Sequence, residues 1–264
     1  MYQGINLKIR DNLFNGQLLS KAPKQYDVVK HSIEKELESS YLRTERGSII
    51  NARSLETSWM PKIESQVFIS HSHLDNTGEQ AIIKQITWCL EQLGISYFVD
   101  SFVWGYANDL LKMIDKEFCK SGETTYSYEK RNVSTAHVHN MLNMALLKMM
   151  DACECFLFVN TSNSIPQSGL LTKQGIDNPT YSPWLYSELT SSSLIRKRPL
   201  EEHRLSMLKE GKIINHSKQV VPMVYPAPLD HLVSLSQDKF EEWVHTVLNK
   251  MQSESALDKL YKLK

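Results

Sequence analysis

Residues 66–75 read QVFISHSHLD and hold the pattern that decides the fold, a short apolar strand that runs directly into polar side chains. From about residue 66 onward, similar apolar runs alternate with segments of helical periodicity. That alternation is typical of an α/β fold built around a mostly parallel sheet. ISYFVD (95–100) predicts a second strand, and CECFLFVN (153–160) is apolar on both faces, as expected for a strand covered by helices on each side.

Start and stop signals predict the first two helices of this region. Asn76 and Glu79 form an Asn-x-x-Glu pattern that resembles a capping box, and Gly94 is placed to end the helix that follows. A second amphipathic helix, which precedes the CECFLFVN strand, is predicted to begin near Ser134.

The last part of the chain predicts one more strand and a closing helix. QVVPMVY (219–225) has the composition of a strand, and Pro222 favours a sheet edge because proline donates no ladder hydrogen bond. QDKFEEWVHTVLNKM (237–251) predicts the helix that completes the domain, with its apolar positions facing inward. We therefore expect a flavodoxin-like, mostly parallel five-stranded sheet with helices on both faces.

The chain divides into three predicted parts. Residues 1–64 form an N-terminal extension, in which YDVVKHSIEKELESSYL (26–42) has apolar residues at four-residue spacing and predicts an amphipathic helix. Residues 65–252 form the α/β domain, and residues 253–264 form a C-terminal tail. Long turn-rich segments interrupt the domain as insertions near residues 119–132, 160–181 and 196–218, the last of which is expected to contain a short helix.

Composition limits the classes of function. Thirty basic and thirty acidic side chains give no net charge, which argues against nucleic acid or an anionic membrane as a partner. No apolar run reaches the length of a membrane span, and the first residues lack a secretory hydrophobic region, so we expect a cytoplasmic protein. The four cysteines lie in or beside apolar segments and are expected to be reduced.

The candidate site is predicted at the carboxyl ends of the strands, where ligands bind in open α/β sheets. Ser70, His71 and Ser72 follow the first strand directly and offer hydroxyl and amide groups to a phosphate. The alternative is a well-capped turn. A metal site at His71, His73 and Asp75 is disfavoured because no second cluster of ligands is evident.

SPWLYSEL (182–189) predicts the start of another helix, with Ser182 as N-cap and Pro183 at the first helical position. Trp184 and Glu188 then lie four residues apart on one face near the helix N-terminus, where an indole and a carboxylate together could hold a ring and a ribose. The alternative is an ordinary half-buried helix with a packed Trp and a solvated Glu.

These landmarks, in this order, resemble the Toll/interleukin-1 receptor (TIR) domain, in the form found in bacterial NAD-processing, Thoeris-like antiphage proteins. QVFISHSHLD is similar to the first strand and its following box, LGISYFVDS (93–101) to the second strand leading into the BB loop, and SPWLYSEL to the W-x-x-x-E helix start of the enzymatic members. The resemblance covers roughly residues 65 to 251. The BB loop lacks the usual arginine- and glycine-rich composition, and the insertions are long.

The resemblance implies an enzyme that cleaves the nicotinamide glycosidic bond of NAD and releases ADP-ribose, or a cyclic or conjugated product that activates a separate effector. Glu188 would be the catalytic residue. The substrate would be contacted by six further side chains: Trp184, Ser70, His71, Ser72, Asp100 and Trp104. NAD is the substrate, no cofactor or metal is implied, and assembly with other TIR domains is expected to complete the site.

Two other functions remain open at this point. One is a non-catalytic TIR scaffold that signals by protein contact, with Glu188 on the surface. The other is a nucleoside deoxyribosyltransferase-like enzyme, whose related fold also places a glutamate at an anomeric carbon.

Overall fold

The computed structural model describes residues 1–10, 13–16, 41–44, 47–50, 65–76, 81–99, 111–166, 173, 177–206, 225–249 and 255–263. Within them, one five-stranded sheet contains β1 (Gln3–Lys8), β2 (Val67–Ser70), β3 (Tyr97–Val99), β4 (Cys155–Asn160) and β5 (Val233–Ser236). The strand order is β3-β2-β4-β1-β5, and every pairing is parallel. The predicted α/β fold with a five-stranded parallel sheet is confirmed.

Helices cover both faces of the sheet. They are α1 (Ile82–Gln92), α2 (Tyr128–Ala152), α3 (Pro183–Leu194), α4 (Leu200–Ser206), α5 (Gln237–Leu248) and α6 (Ala256–Lys262). Residues 111–118 are also helical. None of the helices in the described ranges has the length and apolar character needed to cross a bilayer.

Alternating side chains along the strands divide the core into two clusters. Phe68, Phe156 and Phe158 belong to a cluster with apolar residues of α2 and α3, and we call this side of the sheet the α3 face. Their strand neighbours Ile69 and Leu157 belong to a second cluster with residues of α1, α5 and α6, on the α1 face. Because both faces are covered, the central strands are buried along their whole length, which explains their continuous apolar sequence.

The N-terminal strand is the main departure from the predicted organisation. We expected residues 1–64 to lie outside the domain, but Gln3–Lys8 forms β1 between β4 and β5, inside the sheet. The segment carries only two buried aliphatic residues in alternation, Ile5 and Leu7, so its period-two signal is short. Pairing on both edges stabilises a strand that its own pattern predicts only weakly.

The last strand of the sheet also differs from the prediction. Val233–Ser236, directly before α5, forms β5. Residues 219–224 of the predicted QVVPMVY strand lie outside the described residues, and Tyr225–Pro226 pairs instead with Pro179–Thr180 in a separate antiparallel ribbon. Similarly, residues 26–40 of the predicted N-terminal helix are not described, while Tyr41–Thr44 pairs with Gly47–Ile50 as a hairpin.

Two predicted helix starts are wrong and one stop is confirmed. Asn76 lies in a 3-10 turn, and α1 begins only at Ile82. α2 begins at Tyr128, with Ser127 as its N-cap. Ser134 lies inside the helix instead, where it is buried and donates its hydroxyl to Asp115 at 2.7 Å. Within the predicted 119–132 insertion, residues 128–132 are therefore helical. Gly94 follows the end of α1 with a φ of 67°, as a helix-ending glycine requires.

The remaining insertions are described only in part. The short helix expected within residues 196–218 is confirmed as α4. Buried Glu154 at the amino edge of the sheet ties α4 and α6 to β4, because Arg204 forms an ion pair with it and the Tyr261 hydroxyl donates to it at 3.0 Å. These contacts stabilise the edge opposite the candidate site.

Replacing Gly4 tests the place of β1 in the sheet. A Cβ at Gly4 would lie 2.5 Å from Leu232 Cδ2, on the α3 face. We expect Gly4→Val to lower the free energy of unfolding by about 1–3 kcal/mol through overpacking, measured by urea denaturation. Lys8→Val, on the same face of the same strand but exposed, is the control and should change it by less than about 0.5 kcal/mol. Equal stability of both variants would contradict the packing of β1.

Candidate active site at the carboxyl edge of the sheet

The strand order creates a topological switch point between β2 and β4, the position at which open α/β sheets form a crevice. After β2 the chain continues to β3 on one side of the sheet, and after β4 it continues to β5 on the other side. The connections therefore leave these two neighbouring strands in opposite directions at their carboxyl ends, which is where ligands bind in open α/β sheets. Ser70 ends β2 and Asn160 ends β4.

Glu188 reaches this crevice from α3. Its side chain is buried, with only 2% of the residue exposed, and Ser70 is fully buried. The Ser70 hydroxyl donates to Glu188 Oε2 at 2.6 Å, a length typical of a charge-assisted bond to a carboxylate. The predicted proximity of Ser70 and Glu188, which are 118 residues apart in sequence, is therefore present in the structure.

Three local features orient the helix that carries Glu188. Ser182 caps α3 by accepting the Leu185 backbone N–H at 3.2 Å, and Pro183 occupies the first turn, as the sequence predicted. Leu185 and Leu189 pack into the apolar cluster of the α3 face. Near the C-terminal end of α3, Ser192 Oγ lies 2.8 Å from Nε2 of His231, in the loop before β5.

His71 lies beside this carboxylate as a neutral ring. The residue is 3% exposed. Burial lowers the pKa of His71 to about 4, and the nearby carboxylates of Glu188 and Asp75 oppose the shift without cancelling it. At neutral pH the imidazole is therefore uncharged and adds no positive charge beside Glu188.

Asp75 joins the two loops that border the crevice. Its Oδ2 accepts from Thr161 Oγ1 at 2.8 Å, and its Oδ1 accepts from Asn163 Nδ2 at 2.7 Å. Thr161 and Asn163 directly follow β4, so the buried carboxylate holds the loop after β2 to the loop after β4. From the sequence, Asp75 was expected only as a ligand in a disfavoured metal site. Polar residues that directly follow a second strand are the signal that would have identified these partners.

Trp184 packs on the neighbouring helix. Its indole is half-buried against the apolar cluster of the α3 face and lies edge-on to His139 of α2, with ring centroids 5.3 Å apart and planes at 82°. These contacts agree with the packing alternative considered for this residue. Stacking of Trp184 on a substrate stays a prediction.

The other predicted site residues divide into two groups. Ser72 is buried and directly follows Ser70 and His71, so all three residues of the first loop lie at the carboxyl edge. Asp100 and Trp104, with the rest of the expected BB loop, lie outside the described residues. In the described ranges, no group of three or more His, Cys, Asp or Glu side chains could hold a metal ion. All four cysteines are buried free thiols.

Removing the helix cap tests how α3 is held. We expect Ser182→Ala to lower the free energy of unfolding by about 1 kcal/mol, because the Leu185 N–H loses its acceptor. Ser182→Asp supplies another acceptor and should restore most of the loss in urea denaturation. A Ser182→Ala variant as stable as the wild type would contradict the capping role.

Lowering the pH should destabilise the folded protein because His71 is buried as a neutral ring. Because its pKa is lower in the folded protein than in the unfolded chain, its contribution to stability is complete above about pH 6.5 and is lost as the pH falls toward 4. Between pH 7 and pH 5 we expect the wild type to lose about 2 kcal/mol of unfolding free energy that His71→Gln does not lose. Urea denaturation at both pH values measures the difference, and His137→Gln, at an exposed position of α2, is the control. An equal acid loss in wild type and His71→Gln would contradict the assignment.

Comparison with known proteins identifies no relative of this chain. No family model matches the chain, and neither the curated proteins nor the solved structures contain a match. The arrangement of Ser70, His71, Asp75 and Glu188 at the carboxyl edge of the sheet is therefore the feature of this chain that bears on its function.

Proposed function

We propose that this chain is a TIR-like enzyme that cleaves the nicotinamide glycosidic bond of NAD, with Glu188 as the catalytic residue. The observation that carries the proposal is the buried Glu188 carboxylate, held by the Ser70 hydroxyl at the topological switch point of a parallel sheet. A site at that position, with one oriented carboxylate, suits a ligand that becomes more cationic at its sugar as it reacts.

The electrostatics favour heterolysis of an N-glycosidic bond. The bond between ribose C1′ and the pyridinium nitrogen breaks, its electron pair goes to nicotinamide, and positive charge moves from the ring to the ribose. The Glu188 carboxylate stabilises that charge and accepts hydrogen bonds from the ribose hydroxyls. Nicotinamide leaves as a neutral molecule, so the mechanism needs no strong general acid.

Ser70 and His71 support this role of the carboxylate. The Ser70 hydroxyl fixes one carboxylate oxygen at 2.6 Å, which reduces the reorganisation needed when charge develops. Neutral His71 places no positive charge beside Glu188 to offset its field. Water then attacks C1′ and releases a proton with ADP-ribose, or another nucleophile captures the cation when water is excluded.

The biological part of the proposal follows the TIR resemblance alone. In it, the protein is a cytoplasmic antiphage enzyme that self-associates on activation, and its ADP-ribose-derived product signals to a separate effector. QVFISHSHLD and SPWLYSEL, whose strand and helix start supply Ser70 and Glu188, are the segments that support it.

Nicotinamide release tests the chemistry. We expect Glu188→Gln to reduce release from NAD by at least about 100-fold, because the amide still accepts from Ser70 but carries no charge. Glu201→Gln, at an exposed position of α4, is the matched control and should keep wild-type activity. Nicotinamide release by both variants is measured with the protein alone and under crowding that promotes assembly. Circular dichroism confirms that each variant is folded.

Each outcome selects one function. Release that depends on Glu188 supports the NAD-cleaving enzyme. No release under any of these conditions contradicts it and favours a scaffold that signals by contact. Exchange of the base between thymidine and adenine, lost in Glu188→Gln, would identify a deoxyribosyltransferase instead.

A further inference from the structure

We propose that β1 supplies a second half of the nucleotide site, in which Asn6, Asn160 and Lys8 bind the phosphates and ribose hydroxyls on the far side of the scissile bond. The inference rests on the proposed function and extends it, because it assigns two of the three substrate-binding residues, Asn6 and Lys8, to a strand that lies outside the region of TIR resemblance. It follows from the register of the sheet and from the side chains on its α3 face.

The side chains of β1 alternate between the two faces. Ile5 and Leu7 are buried in the cluster of the α1 face. Gly4, Asn6 and Lys8 therefore belong to the α3 face, and the close approach of Leu232, a member of the α3-face cluster, to Gly4 agrees with this assignment. Glu188 approaches the sheet from the same side, because α3 packs there.

The register places Asn6 in line with Ser70. Phe158 of β4 is the partner of Ser70 on one side and of Asn6 on the other, so the three residues form one row across β2, β4 and β1. Neighbouring strands are about 4.8 Å apart, which puts Asn6 about 10 Å from the catalytic end of the row. That span is comparable to the reach from the reacting sugar to the phosphates in a dinucleotide.

Asn6 and Asn160 form a polar pair on neighbouring strands. Asn6 is 5% exposed, and Asn160 Nδ2 donates to Asn6 Oδ1 at 3.0 Å. Carboxamides offer both donors and acceptors without charge, which suits hydroxyl pairs of a ribose. A pair that served only packing could be replaced by two apolar side chains with little change in stability, whereas a ligand-binding pair could not be replaced without loss of affinity.

Lys8 adds the charge that a diphosphate needs. It is exposed at the end of β1 and is the register partner of Asn160. Lys8 therefore lies at the carboxyl edge, on the face against which α3 packs and next to the strand position of Asn160. A lysine at this position binds phosphate as a flexible point charge, while the buried Glu188 carboxylate, about two strands away, interacts with the cationic end of the same ligand.

Calorimetric binding of ADP-ribose tests the proposal. We expect Lys8→Gln and Asn160→Leu each to weaken binding by about tenfold, as loss of a hydrogen bond to a charged or buried group predicts. Raising the salt concentration should weaken binding to the wild type more than to Lys8→Gln. Lys116→Gln, at an exposed position of the helical residues 111–118, is the control and should bind like the wild type.

Kinetics provide a second readout that a structural role would not reproduce. Contacts far from the reacting bond are made equally in the ground and transition states, so Lys8→Gln should raise KM for NAD and leave kcat unchanged. Cleavage of nicotinamide riboside, which lacks the phosphates, should be the same in Lys8→Gln and the wild type.

The outcomes separate this inference from the proposed reaction. Wild-type binding of ADP-ribose by Lys8→Gln and Asn160→Leu would overturn the inference, as would a wild-type protein that does not bind ADP-ribose. Weakened binding in both variants, without nicotinamide release by the wild type, would support the nucleotide site and contradict only the NAD-cleaving function.

Discussion

The candidate site depends on one hydrogen bond, from the Ser70 hydroxyl to the Glu188 carboxylate. It joins the end of a central strand to a helix that begins more than a hundred residues later. Placing an ionised carboxylate in a protein interior costs several kcal/mol, and a hydrogen bond to a charged group offsets about 1.5–3 kcal/mol of that cost.

Two groups, Asp75 and His71, define the surroundings of that carboxylate. Asp75 binds Thr161 and Asn163, so the loops on both sides of the crevice keep a constant separation. His71 is buried beside both acids and stays neutral, since desolvation outweighs their attraction for a proton. Two buried acids and a neutral imidazole therefore lie together at the carboxyl edge of the sheet.

Much of the site was predictable because its signals are local. The strand at Val67–Ser70, its polar continuation and the Ser182–Pro183 helix start each occupy fewer than ten residues, and the structure contains them where the sequence placed them. Less predictable were the residues whose role depends on a distant partner. Ser134 is a residue type that favours N-caps, but it lies inside α2, where its hydroxyl donates to the buried Asp115. Trp184 was assigned to a ligand, yet the described contacts of its indole are with α2.

The sequence by itself determined the fold class, the central strands and the residue types at their carboxyl ends, because hydrophobic periodicity and capping are properties of short segments. Only the tertiary structure decided that Gln3–Lys8 lies between β4 and β5 and that Asn6 shares a face with Ser70. A strand with two buried aliphatic residues is stabilised mainly by pairing on both of its edges. Its partners are about 150 and 230 residues away, and no local pattern in β1 specifies them.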